Sequence, residues 1–122
     1  MKWDVLFHEE FLFEFNELSE EVQDELLAYA KLLEASGPSL GRPHADTLKG
    51  SRHANMKELR FKVDDGVWRI AFAFDPKRQA ILLVAGNKAQ IKEKRFYKQL
   101  IQKADRRFDS HICDLKKTGE IE

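Results

Sequence analysis

The stretch "KELRFKVDDGVWRIAFAF" at residues 57–74 decides the fold, because it predicts two strands joined by a tight turn. Apolar residues alternate with charged or small ones on each side of its acidic centre, as in strands that bury one face. The pair Asp65-Gly66 is a favoured two-residue hairpin turn, since glycine accepts the backbone angles that such a turn needs. This turn sets the two strands side by side and fixes which residues face each other.

The side chains of this hairpin sort into two chemically different faces. With Asp65-Gly66 at the centre of the turn, Lys62 faces Arg69 and Arg60 faces Ala71, and residues opposite each other share a face of the sheet. The apolar face collects Leu59, Phe61, Val63, Trp68, Ile70 and Phe72. The other face collects Glu58, Arg60, Lys62, Arg69, Ala71 and Ala73. Because the small alanines lie beside Arg60 and Glu58, we expect this second face to be a shallow trough with cations on its floor, and the two arginines to project into solvent.

Two helices are predicted before the hairpin. A short strand at 2–7 comes first, and apolar residues at helical spacing predict a short helix within 8–18. Ser19 is a good N-cap for a second helix with an acidic outer face, which Gly37-Pro38 ends. The connection at 37–56 is long for a small domain, so it is either functional or contains short structure of its own.

After the hairpin the pattern predicts one more strand and a basic amphipathic helix at 88–108. The fold class is therefore α+β: a small twisted antiparallel sheet, N-terminal helices packed on one of its faces, and a C-terminal basic helix. We expect one domain at 1–108 and a C-terminal tail at 109–122 whose weak patterning suggests mobility. The predicted strands of the sheet are 57–63, 67–75 and 79–86.

Cysteine content and the lack of long apolar runs indicate the cellular compartment. The single cysteine, Cys113, excludes an internal disulfide and is compatible with a reducing compartment. The N-terminal residues lack the long apolar run of a signal peptide, and no stretch reaches the roughly 20 apolar residues of a membrane span. We therefore expect a cytoplasmic protein that does not act at a membrane.

The formal net charge of zero conceals a strong division along the chain. Residues 1–41 carry ten acids and two bases, a net −8, whereas 42–107 carry seventeen bases and seven acids, a net +10. The remaining residues 108–122 contribute −2. Such asymmetry indicates a polyanionic partner on the basic side. An equally simple explanation is internal compensation, with the acidic helix lying against basic elements.

The charged face of the hairpin is a candidate anion-binding surface. The fork of an arginine donates two hydrogen bonds to a phosphate at once, which makes a phosphodiester backbone the natural ligand. The alternative is an ordinary solvated sheet face with cross-strand ion pairs. Glu58 shares the face of Arg60 and Arg69, so it is either a general base or the partner of an arginine. The candidate RNA contacts around them are Lys49, Arg52, Lys57, Lys62, Arg78, Lys92, Lys94 and Arg95.

Other chemistries have little support in the sequence. The four histidines show no metal-ligand spacing with Cys113 or with paired carboxylates, and "GNK" is far short of a phosphate-binding loop. His44 and His53 lie in the basic connection and titrate in a useful range, but a loop histidine without a visible partner is usually a surface residue. We therefore expect neither a cofactor nor a metal.

At "LKGSRHANMKELR" (48–60), "WRIAFAF" (68–74), "AILLVAGNK" (80–88) and "RFYKQLIQKAD" (95–105) the chain resembles the RelE/ParE superfamily of bacterial toxins, and most of all its HigB-like, phage-derived branch. The resemblance implies a RelE-like fold and metal-independent cleavage of mRNA, commonly in the ribosomal A site. It also implies a helix-turn-helix antitoxin, HigA-like, as partner, with a toxin–antitoxin heterotetramer as one assembly.

The resemblance assigns roles to particular residues. The arginines of the family hairpin correspond to Arg60 and Arg69, the basic residue after the third strand to Lys88, and a tyrosine near the last helix to Tyr97. RelE itself has lysines on the first hairpin strand, where this chain has Met56 and Glu58, with Lys57 on the other side of the strand. These departures keep two alternatives open: a ParE-like inhibitor that binds gyrase, and an inactive prophage relative that only binds its antitoxin.

Overall fold

The computed structural model describes residues 2–122 and has a single five-stranded sheet with helices on both of its faces. Ser19 caps the second helix as predicted, because its hydroxyl oxygen accepts a hydrogen bond from the Val22 amide. The long connection contains a 3₁₀ turn and a short strand. The elements in chain order are β1 (Asp4–Phe7), α1 (Glu9–Phe15), α2 (Glu20–Ser36), the 3₁₀ turn (Gly37–Ser39), β2 (Ala45–Thr47), β3 (Met56–Val63), β4 (Gly66–Phe74), β5 (Gln79–Asn87) and α3 (Glu93–Lys117).

The sheet confirms the predicted α+β architecture. Its strand order is β1-β5-β4-β3-β2, and the neighbours from β5 to β2 are antiparallel. The opening strand β1 adds to the edge of β5 in parallel orientation, so the sheet is mixed at that edge. β1 covers only Gln79 to Leu82 of β5, and the rest of β5 extends past it.

The predicted hairpin register is wrong by two residues. Val63 faces Gly66 and Arg60 faces Arg69, so the turn is centred on Asp64-Asp65. Asp64 adopts the left-handed backbone conformation, with a φ of 51°, which aspartate tolerates better than most residues. Gly66 is needed for a different reason, since a Cβ there would lie 2.6 Å from the Trp68 ring nitrogen. A shift of two residues keeps every side chain on its predicted face.

The two faces of the sheet carry separate apolar cores. On one face α1 and α2 pack Phe11, Leu26 and Leu33 against Phe72 and Leu82. On the other face α3 packs against the sheet, with its buried residues Phe96, Leu100, Ala104 and Phe108. The acidic N-terminal segment also reaches the basic helix, because Glu14 pairs with Arg107 and Glu10 lies 3.7 Å from Arg106. Part of the charge asymmetry is therefore compensated internally.

The expectation that the alanines leave a shallow trough open to solvent is wrong. Ala71 and Ala73 are fully buried beneath α3 and belong to its core with the sheet. Small side chains at these positions let the helix approach the strand closely, so their poor strand propensity is offset by packing. Only the part of the charged face beyond the reach of α3 remains available to a ligand.

The predicted helix end at residue 108 is also wrong. α3 continues to Lys117, and Leu115 in its last turns is buried. His111 lies 2.8 Å from the buried Asp75 carboxylate, which also accepts the amides of Lys77 and Gln79 in the β4–β5 turn. The predicted domain boundary at 108 therefore falls inside a packed helix. None of the helices within residues 2–122 combines the length and apolar character of a membrane span.

Candidate active site

Two arginines and one carboxylate meet on the charged face of the hairpin. Arg60 of β3 and Arg69 of β4 form a cross-strand pair, which places their side chains on the same face. Glu58 lies two residues before Arg60 on that face. Its carboxylate is 3.8 Å from Arg69 Nε and 4.0 Å from Arg60 Nε. The structure thus brings together the three charged residues that the sequence placed on one side of the sheet.

The two arginines differ sharply in exposure. The Arg60 side chain is 34% exposed, whereas that of Arg69 is only 8% exposed. Arg69 Nε donates to the Tyr97 hydroxyl of α3 at 3.2 Å, and Arg69 Nη1 donates to the Trp68 carbonyl at 2.9 Å. The expectation that both guanidinium groups project freely into solvent is therefore wrong for Arg69, because α3 brings Tyr97 over it. Arg60 is the more accessible cation.

Glu58 occupies an unusual environment for a carboxylate. Its side chain is buried, and its Oε1 atom makes no hydrogen bond within the described part of the chain. Burial raises the pKa of Glu58 above its ordinary value, while the Tyr97 hydroxyl, Arg69 and Arg60 oppose the rise. Burial likewise raises the pKa of Tyr97, whose hydroxyl therefore stays protonated at neutral pH. The site holds a carboxylate that accepts a proton readily beside a phenol that retains one.

Arg42 and Asp46 also belong to the site, although the sequence analysis did not select them. β2 pairs with β3 so that Asp46 faces Glu58. The Asp46 carboxylate accepts from Arg42 at 3.0 Å and lies 3.6 Å from Arg60 Nη1. The hydrogen bond from Arg42 is the largest cause of the lowered pKa of Asp46. The only available signal was the length of the 37–56 connection, since no local pattern indicated which strand β2 would join.

Two adjoining surface cavities give access to this site. One has a volume of about 610 Å³ and is lined by Glu58, Arg60 and Tyr97 together with residues of β2. The second has a volume of about 470 Å³ and shares Arg42 and Arg60 with the first. We call the group formed by Arg42, Asp46, Glu58, Arg60, Arg69 and Tyr97 the cationic site.

Several predicted basic residues surround the cationic site. Lys49 and Lys94 line its larger cavity, and Lys62 lines the smaller one. Lys88 Nζ lies 5.8 Å from the Tyr97 ring centroid and donates to Glu93 Oε1 at 2.9 Å. Lys88 is therefore adjacent to the site but already paired with a carboxylate.

The other predicted RNA contacts lie elsewhere. Arg52 pairs with Asp109 on α3, beside the 2.8 Å contact between His53 and Asp109. Lys57 Nζ donates to the Pro38 carbonyl on the opposite face of the sheet, as the alternation of the strand requires. Arg78 lies over the Trp3 ring, 4.8 Å from its centroid. Lys92 and Arg95 line a separate depression along α3. RNA-contact roles for all of these residues stay predictions.

The donor groups present in residues 2–122 include no cluster of three or more His, Cys, Asp or Glu side chains that could hold a metal ion. His44 packs against Tyr29, with a ring-centroid distance of 5.6 Å, and is not part of such a cluster. The side chains of the cationic site can themselves transfer protons, through a carboxylate and a phenol, and stabilise an anion through their guanidinium groups.

Comparison with known proteins gives consistent results. The profile of a family described as phage-derived protein Gp49-like (DUF891) matches residues 13–109. HigB2, a candidate toxin of Mycobacterium tuberculosis, is 45% identical over 104 residues, which cover 84% of this chain and 51% of HigB2. HigB3, a second candidate toxin of that organism, is 49% identical over 82 residues, covering 67% of this chain and 69% of HigB3. This chain thus spans about half the length of HigB2.

A solved structure shares the fold. A double arginine-to-alanine mutant of the E. coli toxin RelE in the free state aligns with a TM-score of 0.61, covering 88% of this chain and 98% of that chain. The sequence identity is 15%, so the likeness concerns the fold alone.

Proposed function

This chain belongs to the Gp49-like family of phage-derived proteins, and on that premise we propose that it is the toxin of a toxin–antitoxin pair and cleaves mRNA without a metal. Its similarity to the HigB2 and HigB3 candidate toxins supports the toxin assignment, and its RelE-like fold is compatible with it. The observation that carries the ribonuclease proposal is the convergence of Arg60 and Arg69 on the buried Glu58 carboxylate beside the Tyr97 hydroxyl.

The proposed reaction is an internal transesterification of RNA. The ribose 2′-oxygen forms a bond to phosphorus as the bond from phosphorus to the 5′-oxygen breaks. The products are a 2′,3′-cyclic phosphate and a 5′-hydroxyl end. Glu58 takes the proton of the 2′-hydroxyl, and Tyr97 gives a proton to the departing 5′-oxygen. A raised carboxyl pKa suits Glu58 to the first step, because a base is most effective when its pKa approaches the working pH.

The two arginines have different parts in this proposal. Arg60 is exposed enough to touch a phosphate oxygen and to neutralise the charge that builds up on phosphorus. Arg69 is largely covered, and its hydrogen bond to the Tyr97 oxygen orients that hydroxyl. Arg69 is therefore a positioning residue for Tyr97 that also adds positive charge. Lys88 positions the start of α3 through Glu93, next to Tyr97.

The RNA path follows the basic rim of the two cavities. Lys49 and Lys94 flank the larger cavity, Lys62 flanks the smaller one, and Arg42 borders both. Such contacts bind phosphates without reading bases. We place the reaction in the cytoplasm on mRNA held by the ribosome, which would supply the sequence register that these contacts lack. A HigA-like helix-turn-helix antitoxin is the proposed inhibitor.

The test is to express the chain without its antitoxin and to map new 5′-hydroxyl ends in cellular mRNA. Wild-type protein should arrest growth and yield ends in phase with codons, whereas Arg60→Ala and Glu58→Gln should reduce cleavage by about 10²-fold or more. Lys31→Ala is the control, because that lysine is exposed on α2, which packs on the other face of the sheet, and has no assigned role in binding or cleavage.

Growth arrest with intact mRNA would refute the ribonuclease proposal and favour a gyrase-binding protein, which DNA-damage signalling would then reveal. Absence of growth arrest in cells that contain folded protein would refute the toxin assignment itself. Cleavage that is out of phase with codons would refute the dependence on the ribosome.

A further inference from the structure

The edge of the sheet formed by the second half of β5 is open. β1 ends its pairing at Leu82, and no strand within the described chain continues along β5 beyond that point. Lys88 N donates to the Val67 carbonyl of β4, so in the antiparallel ladder residues 86 and 84 also turn toward β4. Ala85 and Asn87 consequently direct their backbone N–H and C=O groups to the open side. An unpaired edge of this kind is a template for another strand.

A groove runs beside this edge along the outer face of α3. A small cavity of about 190 Å³ lies between Val84–Asn87 and the first turns of the helix. Two further depressions adjoin it, one toward Lys92 and the other toward Arg106, and all three share Gln99 as a lining residue. Ile91, which is 42% exposed, lines the first two. The open edge is therefore bordered by an apolar recess with a longer polar channel. We call this combination the β5 groove.

The positive charge of the β5 groove favours an acidic occupant. Lys92, Arg95, Lys103 and Arg106 line it, and no acidic side chain does. At the end of the channel, the Glu10 carboxylate lies 3.7 Å from Arg106. At 100° per residue, Arg95 and Gln99 lie on the side of α3 opposite to Lys94 and Tyr97, which face the cationic site. An occupant of the groove would therefore leave the proposed catalytic cavity open.

We propose that the β5 groove binds an extended acidic segment of the partner antitoxin, which adds to the sheet as a strand beside Ala85 and Asn87. Strand addition supplies backbone hydrogen bonds, while alternate side chains enter the apolar recess at Ile91 and meet the basic channel. This inference rests on the proposed function, because it takes the antitoxin as partner. It adds that the antitoxin is anchored at a surface separate from the cationic site.

The test uses the full chain and, as the probe, the full-length HigA-like helix-turn-helix protein proposed above as its antitoxin. Amide hydrogen exchange at Ala85 and Asn87 should slow markedly in the complex. Ala85→Pro should weaken binding at least tenfold, since it removes an amide that points away from β4 and so leaves the internal ladder intact. Lys103→Glu should weaken binding several-fold, whereas Lys116→Glu, an exposed lysine outside the groove, should not.

The outcomes separate this inference from the proposed function. Tight binding and neutralised toxicity with unchanged exchange at Ala85 and Asn87 would overturn the groove assignment and leave the toxin assignment standing. Failure of the proposed antitoxin to bind or to neutralise the chain would overturn both. Slowed exchange at the same amides in the chain alone with increasing concentration, or with RNA alone, would show that a second copy or a nucleic acid is the occupant and would also overturn the inference. Because exchange is measured on the wild type, the result does not depend on the variants folding.

Discussion

Arg69 and Arg107 are both buried, but only Arg107 is hydrogen-bonded to a carboxylate. Arg107 donates to both oxygens of Glu14 and, at 2.7 Å, to the Leu83 carbonyl, so its charge is matched by a close carboxylate. Arg69 has its carboxylate at 3.8 Å and donates instead to two neutral oxygens, those of Tyr97 and Trp68. Arg60 adds a second positive charge on the same face.

The difference separates a structural ion pair from a functional one. A buried charge held by a close carboxylate, as Arg107 is by Glu14, has little attraction left for a ligand, and its removal lowers stability. The cationic site combines the guanidinium groups of three arginines with two carboxylates, so it keeps an excess of positive charge for an incoming anion. We therefore expect changes at Arg107 to act on folding and changes at Arg69 to act on RNA cleavage.

Arg107→Met should produce the largest change in the free energy of unfolding. Removing one partner of a buried pair typically costs about 3–5 kcal/mol, and we expect about 3 kcal/mol because Glu14 remains partly exposed and can be hydrated. Urea unfolding measures this loss. The neighbouring Arg106→Met is the matched control, since its 3.7 Å pair with Glu10 is exposed and should contribute less than about 1 kcal/mol. Equal losses in the free energy of unfolding for the two variants would contradict the assignment of Arg107 to a stabilising buried ion pair.

Arg69→Gln should reduce RNA cleavage by about 10²–10³-fold while destabilising the protein less than Arg107→Met does. The stability effect is limited because Glu58 can take up a proton when its neighbouring cation is removed. Cleavage assays and urea unfolding of the same preparations provide the two readouts. A variant that unfolds like Arg107→Met but, once folded, cleaves RNA at the wild-type rate would show that Arg69 is only a structural residue.

Glu14, beside Arg107, and Glu58, beside Arg69, should make stability depend on pH in opposite directions. This is the smallest of the three expected effects. Hydrogen bonds from Arg107 lower the pKa of Glu14 below 4.5, so the stability it contributes is present above pH 4.5 and is lost as the pH falls through its folded-state pKa. Burial raises the pKa of Glu58 above 4.5, so stability falls as the pH rises from 4.5 through its folded-state pKa.

Unfolding of Glu14→Gln and Glu58→Gln measured against the wild type across this range checks these signs. The difference in the free energy of unfolding between wild type and Glu14→Gln should change as the pH falls below 4.5. For Glu58→Gln, this difference should change above pH 4.5, where the variant gains stability relative to the wild type. Identical pH profiles for the two variants would mean that the environments of Glu14 and Glu58 do not differ as the structure indicates.

Much of the site could be predicted because the period of a strand is two. Alternation alone placed Glu58, Arg60 and Arg69 on one face, and a register error of two residues left that result unchanged. The covering of Arg69 could not be predicted, because it depends on where a helix that begins at residue 93 crosses the sheet. The same holds for Asp46, which reaches Arg60 only because β2 pairs with β3.

The sequence by itself determined the class of fold, the order of its elements apart from the short structure in the 37–56 connection, and the set of charges that share a sheet face, since these follow from local periodicity and turn chemistry. Only the tertiary structure decided which of those charges are covered, which are paired and which stay open to a ligand. The physical reason is that exposure and neutralisation depend on contacts between segments far apart in the chain, such as Tyr97 over Arg69 and Arg107 on Glu14. No pattern within a single segment encodes those contacts.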